Sequence, residues 1–145
     1  MAHMPKATRT IRQKQFVRAK PGDVYDVFLD AKKHAAFTGS RATCNARVGG
    51  RFTAWDGYIT GTNLKLERGK RIVQQWKTRE WPKSYPSSIL ELSFKRVKGG
   101  TQLTMVHSKV PADQASSYRQ GWIDSYWKPL KRYFKEINER ERVRD

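Results

Sequence analysis

Three stretches decide the fold: Arg71–Thr78, RIVQQWKT; Ser88–Phe94, SILELSF; and Thr101–Ser108, TQLTMVHS. In each, apolar and polar residues alternate, the period-two pattern of a strand that buries one face. Ile72, Gln74 and Trp76 share the inward face of the first, Leu90, Leu92 and Phe94 that of the second, and Leu103, Met105 and His107 that of the third. Turn signals punctuate the surrounding chain: Gly49-Gly50, Asp56-Gly57, Arg68-Gly69 and Gly99-Gly100 lie between runs rich in β-branched or aromatic residues. Asp-Gly suits a two-residue hairpin whose residues need positive φ, so that turn is expected at Asp56-Gly57. Trp81–Pro86 carries two prolines and reads as a loop between strands. The middle of the chain is therefore an antiparallel meander.

Working outward, Thr10–Arg18 reads as an imperfect first strand. Pro21 fits the first turn of a helix, where its missing N–H is not needed, and Val24, Val27 and Phe28 follow at helical spacing. Asp30 is placed to cap a second short helix, AKKHAAF, which brings Ala35, Ala36 and Phe37 near Phe28. Downstream, Asp113 is placed to cap a long helix on which Trp122, Tyr126, Leu130, Tyr133 and Ile137 form one stripe, widened by Ile123, Trp127 and Phe134. That helix is too aromatic to stand in solvent, and Pro129 is expected to kink it. The result is an α+β layer arrangement: an antiparallel sheet must cover the long helix, with two short helices inserted after the first strand. The expected boundaries are one domain over 10–137, a flexible N-terminus over 1–9 and a fraying charged tail over 138–145. Met1–Met4 reads as an expression scar ahead of a native Met4.

The chain of 145 residues, 37% hydrophobic and 12% aromatic, suffices for one core of its own. Thirty Lys+Arg against thirteen Asp+Glu give a net charge of +17. No apolar run approaches the roughly 20 residues of a membrane span, and no signal-peptide core follows the N-terminus, so a cytoplasmic protein is expected. The single Cys44 excludes an intramolecular disulfide and fits a reducing compartment. No His/Cys cluster has metal-ligand spacing, and neither a metal nor a cofactor is expected.

Catalysis needs a convergent nucleophile, base and orienting group, and Cys44, His34, His107 and the carboxylates show no such convergence in sequence. No enzyme is expected. Cys44 has Arg41 and Arg47 nearby, yet a small buried hydrophobe explains it more simply. The Gly-Gly pairs lie between strands and lack a following helix, so they are turns and not phosphate loops. Phe28, Phe37, Phe52, Trp55, Trp76, Trp122 and Tyr126 face the space between sheet and helix, together with Leu92, Met105 and His107. They are candidates to line a cavity for a small hydrophobic ligand, and close packing is the equal alternative; for His107 alone, a packed and hydrogen-bonded histidine is the simpler reading than a ligand contact or a proton-transfer group. Lys128, Lys131, Arg132 and Lys135 recur on the helix's polar face as candidates for docking a partner, and Arg9, Arg12, Lys14, Arg18, Lys32 and Lys33 cluster near the N-terminus. The charge admits a solvated surface, an acidic protein partner or nucleic acid; no recognition element or aromatic platform favours the last.

One resemblance adds to this reading. In order, Gly49-Gly50-Arg51-Phe52, Trp55–Ile59, Gly61–Leu64, Lys70–Val73, Gln75-Trp76, Trp81-Pro82, Gly100-Thr101, Val110-Pro111 and Gly121-Trp122 resemble the domain shared by the C-terminal regions of activators of the 90 kDa heat shock protein ATPase and by their single-domain relatives. The resemblance spans roughly Thr10 to Phe134. It implies the helix-grip fold of the SRPBCC/START-like superfamily, a curved sheet wrapped around the C-terminal helix, often with a cavity between them. It further implies a non-enzymatic co-chaperone whose partner is the 90 kDa heat shock chaperone.

Overall fold

The computed structural model describes residues 7–144, so the expected scar at Met1–Met4 lies outside the described residues. The strands are β1 (Thr8–Val17), β2 (Thr43–Cys44), β3 (Arg51–Ala54), β4 (Ile59–Glu67), β5 (Arg71–Thr78), β6 (Ser88–Val97) and β7 (Gly100–Pro111). They form one sheet in the order β1-β7-β6-β5-β4-β3-β2, with every neighbouring pair antiparallel. Helices α1 (Pro21–Leu29) and α2 (Ala31–Thr38) follow β1, and α3 (Ala115–Trp122) and α4 (Lys128–Arg144) make up the C-terminal helix. The curved sheet covers that helix, which is the helix-grip arrangement.

The alternation in the three decisive strands is realised as burial. Leu92 lies between Ile72 of β5 and Met105 of β7 in the register, and all three are buried. Each such side chain contributes about 1.5–3 kcal/mol when fully removed from water. Asp30 does cap α2: its Oδ1 accepts from the Lys33 N–H at 3.1 Å, and Gly39 ends the helix with φ +79°. Phe28 and Phe37 then meet edge-on, ring centroids 5.8 Å apart.

Five local features differ from the sequence reading. β1 already begins at Thr8, paired with Pro111, inside the 1–9 stretch expected to be flexible. Ala54 pairs with Ile59, so the Asp56-Gly57 turn is a four-residue loop, with Trp55, Asp56 and Gly57 at φ +51°, +55° and +84°. A tryptophan there stores about 1–3 kcal/mol of backbone strain. The loop is held by the Asp56 N–H donating to the Arg41 carbonyl at 2.9 Å and by an Arg41–Asp56 ion pair at 2.7 Å. Asp113 caps nothing: it sits inside a 3-10 turn, Ala112–Gln114, that leads directly into α3. Ahead of Pro129 the helix opens into a π turn, Ile123–Trp127, closed by the Lys128 N–H donating to the Ile123 carbonyl. The proline ring conflicts with the carbonyl four residues earlier, and the widened turn relieves that conflict. Finally, the helix continues beyond Ile137 through Arg144, anchored one residue on by Asn138 Nδ2 donating to the Arg18 carbonyl at 3.0 Å.

Candidate functional site: an aromatic cleft and a basic groove

Ser117, Gly121 and Ser125 recur on successive turns of α3 and the π turn, and their small side chains leave space against β4, β5 and the loop joining β3 to β4. Tyr118, Trp122 and Tyr126 wall that space. The cleft has a volume of about 510 Å³, a size suited to a small molecule, and Trp55, Tyr58, Ile59, Trp76, Glu80 and Gln114 complete its lining. Its aromatic wall is continuous: Trp76 and Trp122 lie 5.9 Å apart, Trp122 and Tyr126 4.7 Å, and Trp76 and Tyr118 5.5 Å, centroid to centroid. The strained loop presents Trp55, whose ring meets Tyr126 edge-on at 6.5 Å. At the rim the Tyr58 hydroxyl donates to Glu80 Oε1, and Tyr118 donates to Gln114 Oε1 at 3.1 Å. Burial and then the Glu80 contact raise the Tyr58 pKa; burial likewise raises that of Tyr118.

Two buried polar chains brace the cleft. Trp122 Nε1–H donates to His107 Nδ1 at 3.1 Å, which fixes the proton of the neutral ring on Nε2. That N–H donates to Ser88 Oγ at 2.7 Å, and the Ser88 hydroxyl donates to the Trp76 carbonyl at 2.6 Å. Every hydrogen-bonding atom of the imidazole is thus satisfied, and burial lowers the His107 pKa to about 3. In the second chain His34 Nδ1–H donates to the Phe28 carbonyl at 3.3 Å, and Nε2 accepts from the Tyr126 hydroxyl at 3.1 Å. Burial lowers the His34 pKa and raises that of Tyr126. These histidines are struts; neither ring lines the cleft.

Of the ten cavity candidates, the structure brings Trp55, Trp76, Trp122 and Tyr126 to the cleft. Phe28, Phe37, Phe52, Leu92, Met105 and His107 are instead close-packed in the core, all at or below 7% exposure. Inward direction alone does not distinguish wall from filler. Sequence reasoning missed Tyr58, Ile59, Glu80, Gln114, Ser117, Tyr118, Gly121 and Ser125. Signals for some were present: Glu80 continues the inward parity of Trp76 and Thr78 one step past β5, and Ser117, Gly121 and Ser125 are small residues at i, i+4 and i+8.

Lys128, Lys131, Arg132 and Lys135 are all exposed. Lys128 is ion-paired with Asp124 at 3.0 Å. Lys131 and Lys135 join Phe16, Arg18, Asn138, Glu139 and Arg142 around a groove of about 740 Å³ between β1 and α4. Arg132 lies outside it. Cys44 is half-buried and its pKa is raised, first by desolvation, so its thiol is not activated. Among the described residues no three His, Cys, Asp or Glu gather as a metal site.

A family profile described as "Activator of Hsp90 ATPase homolog 1-like protein" matches residues 18–135. The chain is 33% identical over 115 residues to the activator of 90 kDa heat shock protein ATPase homolog of Dictyostelium discoideum, covering 79% of this chain and 30% of that protein. It is 33% identical over 127 residues to the human activator of 90 kDa heat shock protein ATPase homolog 1, covering 88% of this chain and 37% of that protein. The match thus spans about a third of the length of these curated relatives. Among solved structures, an HSP90 activator from Plasmodium falciparum superposes with TM-score 0.75 at 24% identity, over 81% of this chain and 89% of that one. CalU16 from Micromonospora echinospora superposes with TM-score 0.72 at 23% identity, over 87% and 74%. The two superpositions speak for the fold, and the profile and the sequence relatives for kinship: this chain belongs to the family of Activator of Hsp90 ATPase homolog 1-like proteins.

Proposed function

We propose that the chain is a co-chaperone module that catalyses no reaction itself, binds the 90 kDa heat shock chaperone in the cytosol and stimulates its ATPase. Family membership supports this reading, and the observation that carries it to particular residues is the basic groove. Arg18, Lys131, Lys135 and Arg142 line it, and none of them is in an ion pair among the described residues. Phe16, 42% exposed, offers an apolar contact in their midst. Such a surface suits an acidic segment carrying an apolar side chain, and its field speeds encounter with a negative partner. Stimulation follows when the closed, hydrolysing chaperone binds the groove more tightly than the open one, because only differential affinity moves that equilibrium.

The test is binding to the chaperone by calorimetry in low and physiological salt. Lys131→Glu with Lys135→Glu is expected to weaken binding at least tenfold while the thermal transition stays within about 2 °C, since both residues are exposed. Equal affinity in the double variant would place the docking surface elsewhere. The cleft favours a second reading, a START-like binding protein for a small hydrophobic ligand held between the C-terminal helix and β4–β5. Gly121→Leu tests it by filling the cleft: a Cβ at Gly121 meets nothing within 4 Å, so loss of ligand binding in a folded variant is the expected result.

A further inference from the structure

About one residue in five of this chain is Lys or Arg, yet none of the residues lining the cleft is Lys, Arg or His. The single charged residue there is Glu80. Its carboxylate accepts from the Tyr58 hydroxyl and is in no ion pair among the described residues. Two guanidinium groups are engaged by Asp56, the residue after Trp55: Arg41 holds its carboxylate at 2.7 Å, and Arg79 donates to its backbone carbonyl at 3.4 Å. Gln114 turns an oxygen to the Tyr118 hydroxyl, so the rim around Glu80 is furnished with acceptors and phenols. Behind it stand the faces and edges of Trp55, Trp76, Trp122 and Tyr126.

We propose that the cleft selects an amphipathic cation, an alkyl- or aryl-ammonium whose apolar body lies against Trp76, Trp122 and Tyr126 and whose charged head sits beside Glu80 and the rings of Tyr58 and Tyr118. The inference rests on the second reading above, that the cleft binds a small molecule, and assigns that molecule's charge. Aromatic faces attract a cation within about 6 Å of their centroids, and a carboxylate at the mouth adds a counter-charge. A fatty acid carboxylate meets the opposite situation: it is drawn to the basic surface at long range but finds no cation in the cleft and Glu80 at its entrance. The +17 charge repels a cation at a distance, but physiological salt screens that repulsion beyond about 8 Å, leaving the local groups to decide.

The experiment compares three probes of one chain length below their micelle thresholds: decyltrimethylammonium, decanol and decanoate. Binding is followed at 0.15 M salt through the indole N–H resonances of Trp55, Trp76 and Trp122, which report on the cleft and ignore adsorption to the basic surface. The ammonium is expected to bind at least tenfold more tightly than the alcohol or the acid, and in Glu80→Gln that preference is expected to shrink to under threefold. Glu80 is exposed, so the substitution spares the core; Tyr58→Phe, which frees the carboxylate, is expected to alter the same preference. Equal or tighter binding of decanol or decanoate, or a preference that survives Glu80→Gln, overturns the charge assignment and leaves the cleft as a binding site. Absence of binding by all three probes overturns the cleft reading with it.

Discussion

Acidification should destabilise this protein through His107, by an amount the structure allows to be worked out. Burial holds its pKa at about 3, against 6.5 for the free side chain, and its Nδ1 lone pair already accepts from Trp122. Between those two values the unfolded chain binds a proton that the folded chain refuses, so stability rises with pH there and is lost as pH falls from about 6.5 toward 3. At roughly 1.4 kcal/mol per pH unit, the full gap is worth on the order of 5 kcal/mol, of which about 3 is expressed by pH 4.5. His34, also lowered by burial, adds a smaller loss of the same sign. Because carboxylates titrate in the same range, the assay is urea unfolding at pH 7.0, 5.5 and 4.5 for the natural protein and for His107→Gln. The glutamine can donate to Ser88 and accept from Trp122 but cannot be protonated. Its midpoint at pH 7 should already be lower, by about 1–3 kcal/mol of stability for the disturbed chain. Between pH 7 and 4.5 the natural protein should lose about 1–2 M in midpoint more than the variant does, at a slope of about 2 kcal/mol per M. Parallel pH profiles for the two proteins would refute the reasoning.

Further outcomes follow from other sites. Gly61→Ala should destabilise by about 3 kcal/mol or more, because its Cβ would lie 2.0 Å from the Gln75 carbonyl oxygen and 2.5 Å from the Phe52 ring; thermal unfolding reads this directly. Gly121→Ala should instead raise stability by about 0.5–1 kcal/mol, the helix-propensity gain at an unobstructed position, seen as a melting point up by a few degrees. Trp122→Phe keeps most of the ring but strands the His107 Nδ1 acceptor, and should cost about 1–3 kcal/mol by chemical denaturation. Asp56→Asn removes only an exposed ion pair from a loop whose positive φ asparagine accepts, so its melting curve should overlay that of the natural protein within about 1 °C.

The fold was legible because alternation survives translation into burial: Leu90, Leu92, Leu103 and Met105 point inward by parity alone, and α2 begins where Asp30 can cap it. What the sequence could not convey is how neighbouring elements meet. His107 reads as inward, and as a packed, hydrogen-bonded histidine before a ligand contact, but its partners Ser88 and Trp122 lie on another strand and on the C-terminal helix, so only the register and the helix's placement reveal what it bonds. The same limit separated Trp76 from Phe52: both face the helix, and the gap opens beside the first because Ser117, Gly121 and Ser125 are small. The π turn also lay beyond reach of a helical pattern, although Pro129 marked where regularity had to fail. Its consequence is packing: Trp122 and Trp127 stack 5.3 Å apart, and Trp127 Nε1–H reaches Gln13 of β1 at 2.6 Å.

The most direct test of the proposed function is steady-state ATP hydrolysis by the 90 kDa chaperone titrated with this protein, with an unrelated protein of equal charge as control. The account predicts saturable stimulation that the control lacks, with a half-saturation point raised at least tenfold by Lys131→Glu with Lys135→Glu and raised further by salt. No stimulation at concentrations that saturate binding, or stimulation matched by the control, would contradict it.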